Sequence, residues 1–308
     1  MRPQNGVGAA LYGSPKNLHA ANGLTTNGQP HRAAPTKHNM RSIILAIQFL
    51  TIIPVRPVGD VTEKDIARCT AFFPVVGALQ GILLLVAAVT MNAIFPADII
   101  SAFIIAAAIL TNGGFHLDGL ADSFDAIAVK SSGNAVSDRE RRLAVMKDSS
   151  TGAIGVVAVV TVILFKFALL RNVLSFPATP VVLSVIFLMP VFSKWTMVPA
   201  IHHGKSARNS GLGRILIDDS SSWQVFIAAV LAVLFFGIIL AALPAGYSGL
   251  QALLFFSLLP AGYFLALTTV AFCAWRFGGL TGDTLGALSE LSEILYLTGS
   301  FIWLRHSI

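Results

Sequence analysis

The 308-residue chain is 55% hydrophobic and only 12% charged, with a mean hydropathy of +0.75. That composition excludes a soluble globular domain, and apolar runs without strand alternation point to membrane-spanning helices rather than a barrel. The formal charge of +6 is modest and fits a one-sided lysine and arginine bias rather than nucleic-acid binding.

Residues 1–39 are rich in Gly, Asn, Pro, Ala and His, contain no Asp or Glu, and show no apolar periodicity. They are expected to form a disordered extension ahead of a single membrane domain over 40–308. Residues 42–54 are apolar but too short to span, and suit an interfacial helix ended by Pro54. Thr62 with Asp65 three residues on predicts a helix start.

Spans are predicted near 71–94, 98–112, 152–174, 180–201, 223–244, 250–275 and 286–304, which makes an all-α polytopic protein of about 6–8 transmembrane helices. The connections alternate in charge. Those at 55–70, 113–151, 202–222 and 276–285 carry Arg56, Arg68, Lys130, Arg139, Arg141, Arg142, Lys147, Lys205, Arg208 and Arg214, whereas those near 95–97, 175–179 and 245–249 have no Lys or Arg. The positive-inside rule places the charged set in the cytoplasm. Cys69 and Cys273 lie far apart in apolar settings and read as core residues.

The second span is short and runs through Gly113-Gly114 into an acidic stretch. There Asp118, Asp122 and Asp125 fall at i, i+4 and i+7, on one stripe of a helix. Three carboxylates on one face of a membrane segment need a positive partner, and a divalent cation is the simplest. A Gly-broken acidic helix lining a cytoplasmic-side cavity is therefore expected.

Three more segments are expected on that side. Met146 to Gly155 offers a helix entrance capped by Asp148 or the Ser149-Ser150-Thr151 cluster, read either as an ordinary cap or as a phosphate cradle with Lys147 as counter-charge. The basic loop from His202 to Arg214 suits either an anion or a membrane anchor. In the last loop Asp283 and Glu290 stand at i, i+7, with Glu290 about two turns into the final apolar helix, where a carboxylate is a functional candidate. Lys194 sits roughly 10 Å from the cytoplasmic end of its span at 1.5 Å per residue, able to reach a phosphate or to snorkel. Snorkelling is the reading for Lys166 and Arg171.

Acidic, Gly-interrupted segments beside basic loops fit Mg²⁺-assisted phosphoryl transfer: carboxylates hold the cation, a carboxylate or His takes a proton, and Lys and Arg hold phosphates. A cation- or proton-coupled transporter is the main rival on spacing alone. A CDP-alcohol-type lipid phosphotransferase is a third reading, although the Asp-x3-Asp-x2-Asp spacing with no following Ala-Arg departs from its motif.

The run from Asn112 to Asp125 (Asn-Gly-Gly-Phe-His-Leu-Asp-Gly-Leu-Ala-Asp-Ser-Phe-Asp) resembles the signature of the adenosylcobinamide-GDP ribazoletransferases, or cobalamin 5′-phosphate synthases. The likeness extends to Gln48–Pro54, Phe72–Gly77, Met146–Ser149, Ala207-Arg208 with Gly211–Gly213, and Leu280–Glu290, in order over 40–308; residues 1–39 have no counterpart. The resemblance implies a Mg²⁺-dependent enzyme of vitamin B12 (cobalamin) biosynthesis, a multi-pass protein of the inner membrane. It joins adenosylcobinamide-GDP and α-ribazole 5′-phosphate to give adenosylcobalamin 5′-phosphate and GMP. The expected metal ligands are Asp118, Asp122, Asp125 and Asp148. Asp125, His116 and Asp122 are the catalytic candidates. Lys147, Lys194, Arg208, Asp283 and Glu290 are the candidates for binding substrate or phosphate. Expected partners are the two substrates and the bilayer, with a second copy or other cobamide-assembly enzymes as further candidates, and no nucleic acid.

Overall fold

The computed structural model describes residues 35–55, 61–177, 180–242 and 249–307, and every regular element among them is a helix. In chain order these are α1 (Pro35–Leu50), α2 (Glu63–Arg68), a 3-10 turn (Cys69–Phe72), α3 (Phe73–Met91), α4 (Ala97–Thr111), α5 (Phe115–Ala128), α6 (Ala135–Val145), α7 (Ala153–Leu174), α8 (Pro180–His203), α9 (Leu212–Asp218), α10 (Ser222–Ala242), α11 (Gly249–Phe256), α12 (Leu258–Phe277) and α13 (Gly282–Ser307).

Five helical stretches are long and apolar enough to cross a bilayer, namely Glu63–Asn92, Ala153–Leu174, Pro180–His203, Ser222–Ala242 and Gln251–Phe277. The pair α4–α5, bent by 87°, makes a sixth when taken as one broken span. The protein is thus a polytopic α-helical membrane protein, and each predicted span falls mainly on helix. The predicted span at 250–275 is interrupted at Ser257, between α11 and α12. Helix α1 begins at Pro35, ahead of the Met40 boundary expected from composition, and ends at Leu50 rather than Pro54. Residues 1–34 and the loop residues Arg56 and Asp60 lie outside the described residues.

The predicted start at Thr62 is a capping box. The Thr62 hydroxyl accepts the Asp65 N–H, and the Asp65 carboxylate accepts the Thr62 N–H. Together they satisfy two donors that a helix start leaves free.

Helix α8 is apolar on every side, and such a helix needs neighbours on every side. It has them in α3, α10, α12 and α13. Its approach to α3 runs over Gly77 and Gly81, where an added β-carbon would strike the backbone of Pro190 and Phe187. Small residues one turn apart let two membrane helices meet at backbone distance, where dispersion contacts are densest. Phe192 of α8 packs at a tilt against Tyr296 of α13, and Tyr296 meets Phe236 of α10 edge-on. The outer faces carry exposed apolar residues such as Leu79, Val157, Leu234 and Phe264, a surface suited to lipid. Against this frame, α5 packs on α7 and α13 and brings the acidic stretch to one end of the bundle.

Candidate active site

The corner that delivers the acidic helix is built by Asn112-Gly113-Gly114. Both glycines are left-handed, with φ of 66° and 74°, a conformation that costs them little and a β-carbon much. Asn112 Oδ1 accepts the Gly114 N–H at 3.0 Å and fixes the turn. Beyond it, α5 presents the predicted stripe: Asp118 is exposed, while Asp122 and Asp125 are partly buried.

Glycines also set how closely α5 meets its neighbours. A β-carbon on Gly119 would lie 2.6 Å from the Asp283 carbonyl oxygen, so this contact brings the start of α13 under the stripe. Gly286 one turn on rests against the backbone of His116. Asp122 consequently sits in the repulsive field of Asp118, Asp283 and Asp125 and in the attractive field of Arg208. Arg208 Nη2 donates to Asp283 Oδ2 at 2.8 Å. Burial pushes the Asp283 carboxyl above the ordinary range, and the Arg208 charge opposes that rise. The Arg208 side chain is 26% exposed and Asp283 engages only its Nη2, so the guanidinium keeps an open side for an incoming oxygen anion.

The two Gly-rich loops that hold this pair are tied to each other. Leu280 donates its N–H to the Lys205 carbonyl at 2.7 Å, and Ala207 donates to the Leu280 carbonyl at 2.8 Å. This short parallel bridge fixes the spacing between Arg208 and Asp283 by backbone rather than by side-chain choice.

Asp125 has a role the spacing did not foretell. Its Oδ2 accepts the Gly152 N–H at 2.6 Å and its Oδ1 accepts the Gly155 N–H at 2.8 Å. It therefore caps α7 from a different helix, placing a carboxylate on unsatisfied donors at the positive end of the helix dipole. Neither Asp148 nor Ser149, Ser150 or Thr151 caps α7, which corrects the expectation for that entrance. Asp148 instead accepts the Ser150 N–H at 3.0 Å, and both Lys147 and Asp148 stand exposed in the turn after α6. The Gly152 and Gly155 side-chain positions are filled by the Asp125 carboxylate, which explains both glycines.

His116, Lys194 and Glu290 are placed away from the stripe. They lie inside the bundle, where α5, α7, α8 and α13 meet. His116 Nδ1 is 3.1 Å from Ser289 Oγ and 3.4 Å from Lys194 Nζ, and Lys194 donates to Ser289 Oγ at 3.2 Å. Ser193 shares a hydrogen bond with the same serine at 2.6 Å. One turn deeper, Lys166 is ion-paired with both Glu290 and Glu293. Lys166 is 5% exposed, so it does not snorkel as expected; it is the buried counter-charge of two carboxylates. The i, i+3 pair Glu290 and Glu293 was visible in the sequence, but its partner lies 124 residues from Glu290, and no local pattern marks it.

Arg276, at the end of α12, donates Nη2 to the Ile127 carbonyl at 2.6 Å and so caps the C-terminal end of α5. Arg142 donates to the Arg276 carbonyl at 3.2 Å. Beside them, hydrogen bonds from Ser131 and Ser132 hold the Asp138 carboxyl well below the usual carboxylate range. The loop between α5 and α6 is thereby pinned.

The donors on the stripe are all carboxylate oxygens, which suits a hard cation such as Mg²⁺. Among the described residues no three His, Cys, Asp or Glu side chains converge as a ready-made metal cage. Mg²⁺ commonly takes one or two carboxylates and completes its shell with water and substrate phosphate, and Asp118 with Asp122 fits that kind of site.

A sequence model of the family described as cobalamin-5-phosphate synthase matches residues 42–301. Among curated relatives, the adenosylcobinamide-GDP ribazoletransferase of Thermodesulfovibrio yellowstonii is 33% identical over 268 residues, covering 85% of this chain and 98% of that protein. The enzyme of the same name from Geotalea daltonii is 35% identical, covering 84% and 96%, and that from Pseudomonas fluorescens is 36% identical, covering 83% and 96%. No solved structure gives a significant match. The matched stretch holds the glycine corner, the acid stripe, the Arg208–Asp283 pair and the buried lysine–glutamate cluster, and the chain belongs to the cobalamin-5-phosphate synthase family.

Proposed function

We propose that the protein joins adenosylcobinamide-GDP to α-ribazole 5′-phosphate, forming adenosylcobalamin 5′-phosphate and GMP at the α5 stripe. The supporting observation is the meeting of Asp118, Asp122 and the Arg208–Asp283 pair at one end of the bundle in a chain of this family. The alternation of charged and uncharged connections along the chain supports a site facing the cytoplasm by the positive-inside rule.

Asp118 and Asp122 would hold Mg²⁺, which supplies positive charge to a pyrophosphate whose bond is breaking. Arg208 binds a phosphate oxygen through donors that Asp283 leaves free. Asp283 keeps the guanidinium aimed at the stripe. A ribose hydroxyl oxygen attacks the cobinamide-side phosphorus, the bond to the GMP oxygen breaks, and the hydroxyl proton passes to a carboxylate. Asp122 is the acceptor of choice, since it is partly buried and takes no hydrogen bond from another described residue. Asp125 positions α5 by holding the end of α7 through both of its oxygens. Lys147, exposed beside this end, recruits anionic substrate by charge. His116 and Lys194 orient α5 against α8 and α13 from the buried side.

The test is an assay of GMP release by membranes supplied with adenosylcobinamide-GDP, α-ribazole 5′-phosphate and Mg²⁺. Release that is abolished by EDTA and restored by excess Mg²⁺ is expected. Release unaffected by EDTA overturns the metal assignment, and no release with both substrates present overturns the reaction.

A further inference from the structure

On a different face of α5 from the acid stripe lies a cavity of about 340 Å³ that none of the steps above uses. Its walls come from Ser123 and Phe124 of α5, Phe272 and Phe277 of α12, and Thr284 and Leu288 of α13. Ser123 is 3% exposed, and its hydroxyl has no hydrogen-bond partner among the described residues. Buried hydroxyls are nearly always paired, so an orphan on a cavity wall marks a position for a ligand atom. The Thr284 hydroxyl does not compete for that position, because it donates to the Thr281 carbonyl and accepts the Thr281 N–H, both at 2.9 Å.

The location is specific. Ser123 follows Asp122, and Thr284 follows Asp283, so the inner wall is one residue removed from two groups of the stripe. The volume is near the lower end of the ~300–1,000 Å³ typical of small-molecule sites, enough for a bicyclic ring and too small for a corrin. Guanine presents several acceptors that this wall would leave unpaired, because the hydroxyls of Thr268, Thr269 and Thr284 already donate to backbone carbonyls and only Ser123 keeps a free donor. A lipid chain would leave Ser123 itself unpaired. A benzimidazole-type base is apolar and aromatic and carries one unsubstituted ring nitrogen, an acceptor.

We propose that this cavity seats the base of α-ribazole 5′-phosphate, with the Ser123 hydroxyl donating to the free ring nitrogen and Phe124, Phe272 and Phe277 packing around the ring. The assignment rests on the substrate pair proposed above and makes Ser123 a determinant of base specificity.

Two measurements test it. In the first, Ala287→Phe fills the cavity from α13 and Ser123→Ala removes the donor. Both variants are expected to raise the KM for α-ribazole 5′-phosphate, Ala287→Phe by roughly tenfold or more, with the KM for adenosylcobinamide-GDP unchanged. The Ala287→Phe effect should shrink when the smaller imidazole riboside phosphate replaces the benzimidazole substrate. In the second, Thr268→Cys at the exposed rim is labelled with a methanethiosulfonate in the full-length protein carrying Cys273→Ala, because Cys273 lines the same cavity, whereas Cys69 is buried elsewhere. α-Ribazole 5′-phosphate is expected to slow the labelling several-fold, and GDP is not. Unchanged KM values together with no protection would overturn the proposal and leave the cavity to lipid. A rise confined to the KM for adenosylcobinamide-GDP, or protection by GDP alone, would also overturn it. Should Ala287→Phe fail to fold, Ser123→Ala and the labelling decide. Absence of GMP release by the wild-type protein would refute the reaction, whereas the labelling would still decide the cavity.

Discussion

Asp122 and Lys166 show two ways in which a charge is kept inside this protein. Asp122 faces three other carboxylates, and its field is balanced by Arg208 and, in the proposed reaction, by a cation. Asp122→Asn keeps the volume and removes the charge. GMP release is expected to fall by roughly a hundredfold or more while insertion survives, as measured in membranes at matched protein levels. Near-normal release from that variant would sink the metal and proton roles together. Lys166 is different, because it is buried and already matched by Glu290 and Glu293. Lys166→Met strands two carboxylates in the interior and is expected to cost about 3–5 kcal/mol, read as a fall in thermal midpoint in detergent. Combining it with Glu290→Gln and Glu293→Gln should recover only part of the loss, since the two stranded carboxylates go but buried Lys194 then loses the negative charges it faces. The stripe was legible because its three aspartates are local and periodic. The cluster was not, because a lysine in an apolar run reads the same whether it reaches outward or pairs inward.

Among the elements, α5 and α7 depend on each other through their ends. The acidic segment was legible as a helix after a glycine break, and the break is an 87° corner. The capping of α7 was misread because its cap comes from Asp125, 27 residues before Gly152, and capping rules look only at neighbours. Gly155→Ala pushes a methyl group into the Asp125 carboxylate and is expected to destabilise the protein by about 1–3 kcal/mol. Gly237→Ala meets no atom within contact range and should be neutral or slightly stabilising. Thermal unfolding of the two variants side by side checks the pair; equal midpoints would show that Asp125 is not held as described.

For the molecule as a whole, most spans followed from hydropathy, because lipid imposes one requirement on every residue of a helix; the exception is the span expected at 286–304, which lies in α13, a helix too polar to count among the five or six that could cross. Which helix is central did not follow. Several runs are equally apolar, and only the close approach at Gly77 and Gly81 singles out α8. Residues 1–34 precede the stretch that the family shares. Their deletion is expected to leave GMP release unchanged in the membrane assay, and loss of release would give that extension a part in the reaction.

The buried cluster also sets an order of events during synthesis. Lys166 leaves the ribosome 124 residues before Glu290, so α7 must enter the bilayer carrying an unanswered positive charge. Throughout the making of α8 to α12 that charge has only water or lipid headgroups to lean on. The last helix brings both carboxylates at once, and its arrival closes the bundle. A chain halted before α13 therefore lacks both carboxylates that answer Lys166, and is expected to pack less tightly than the complete one.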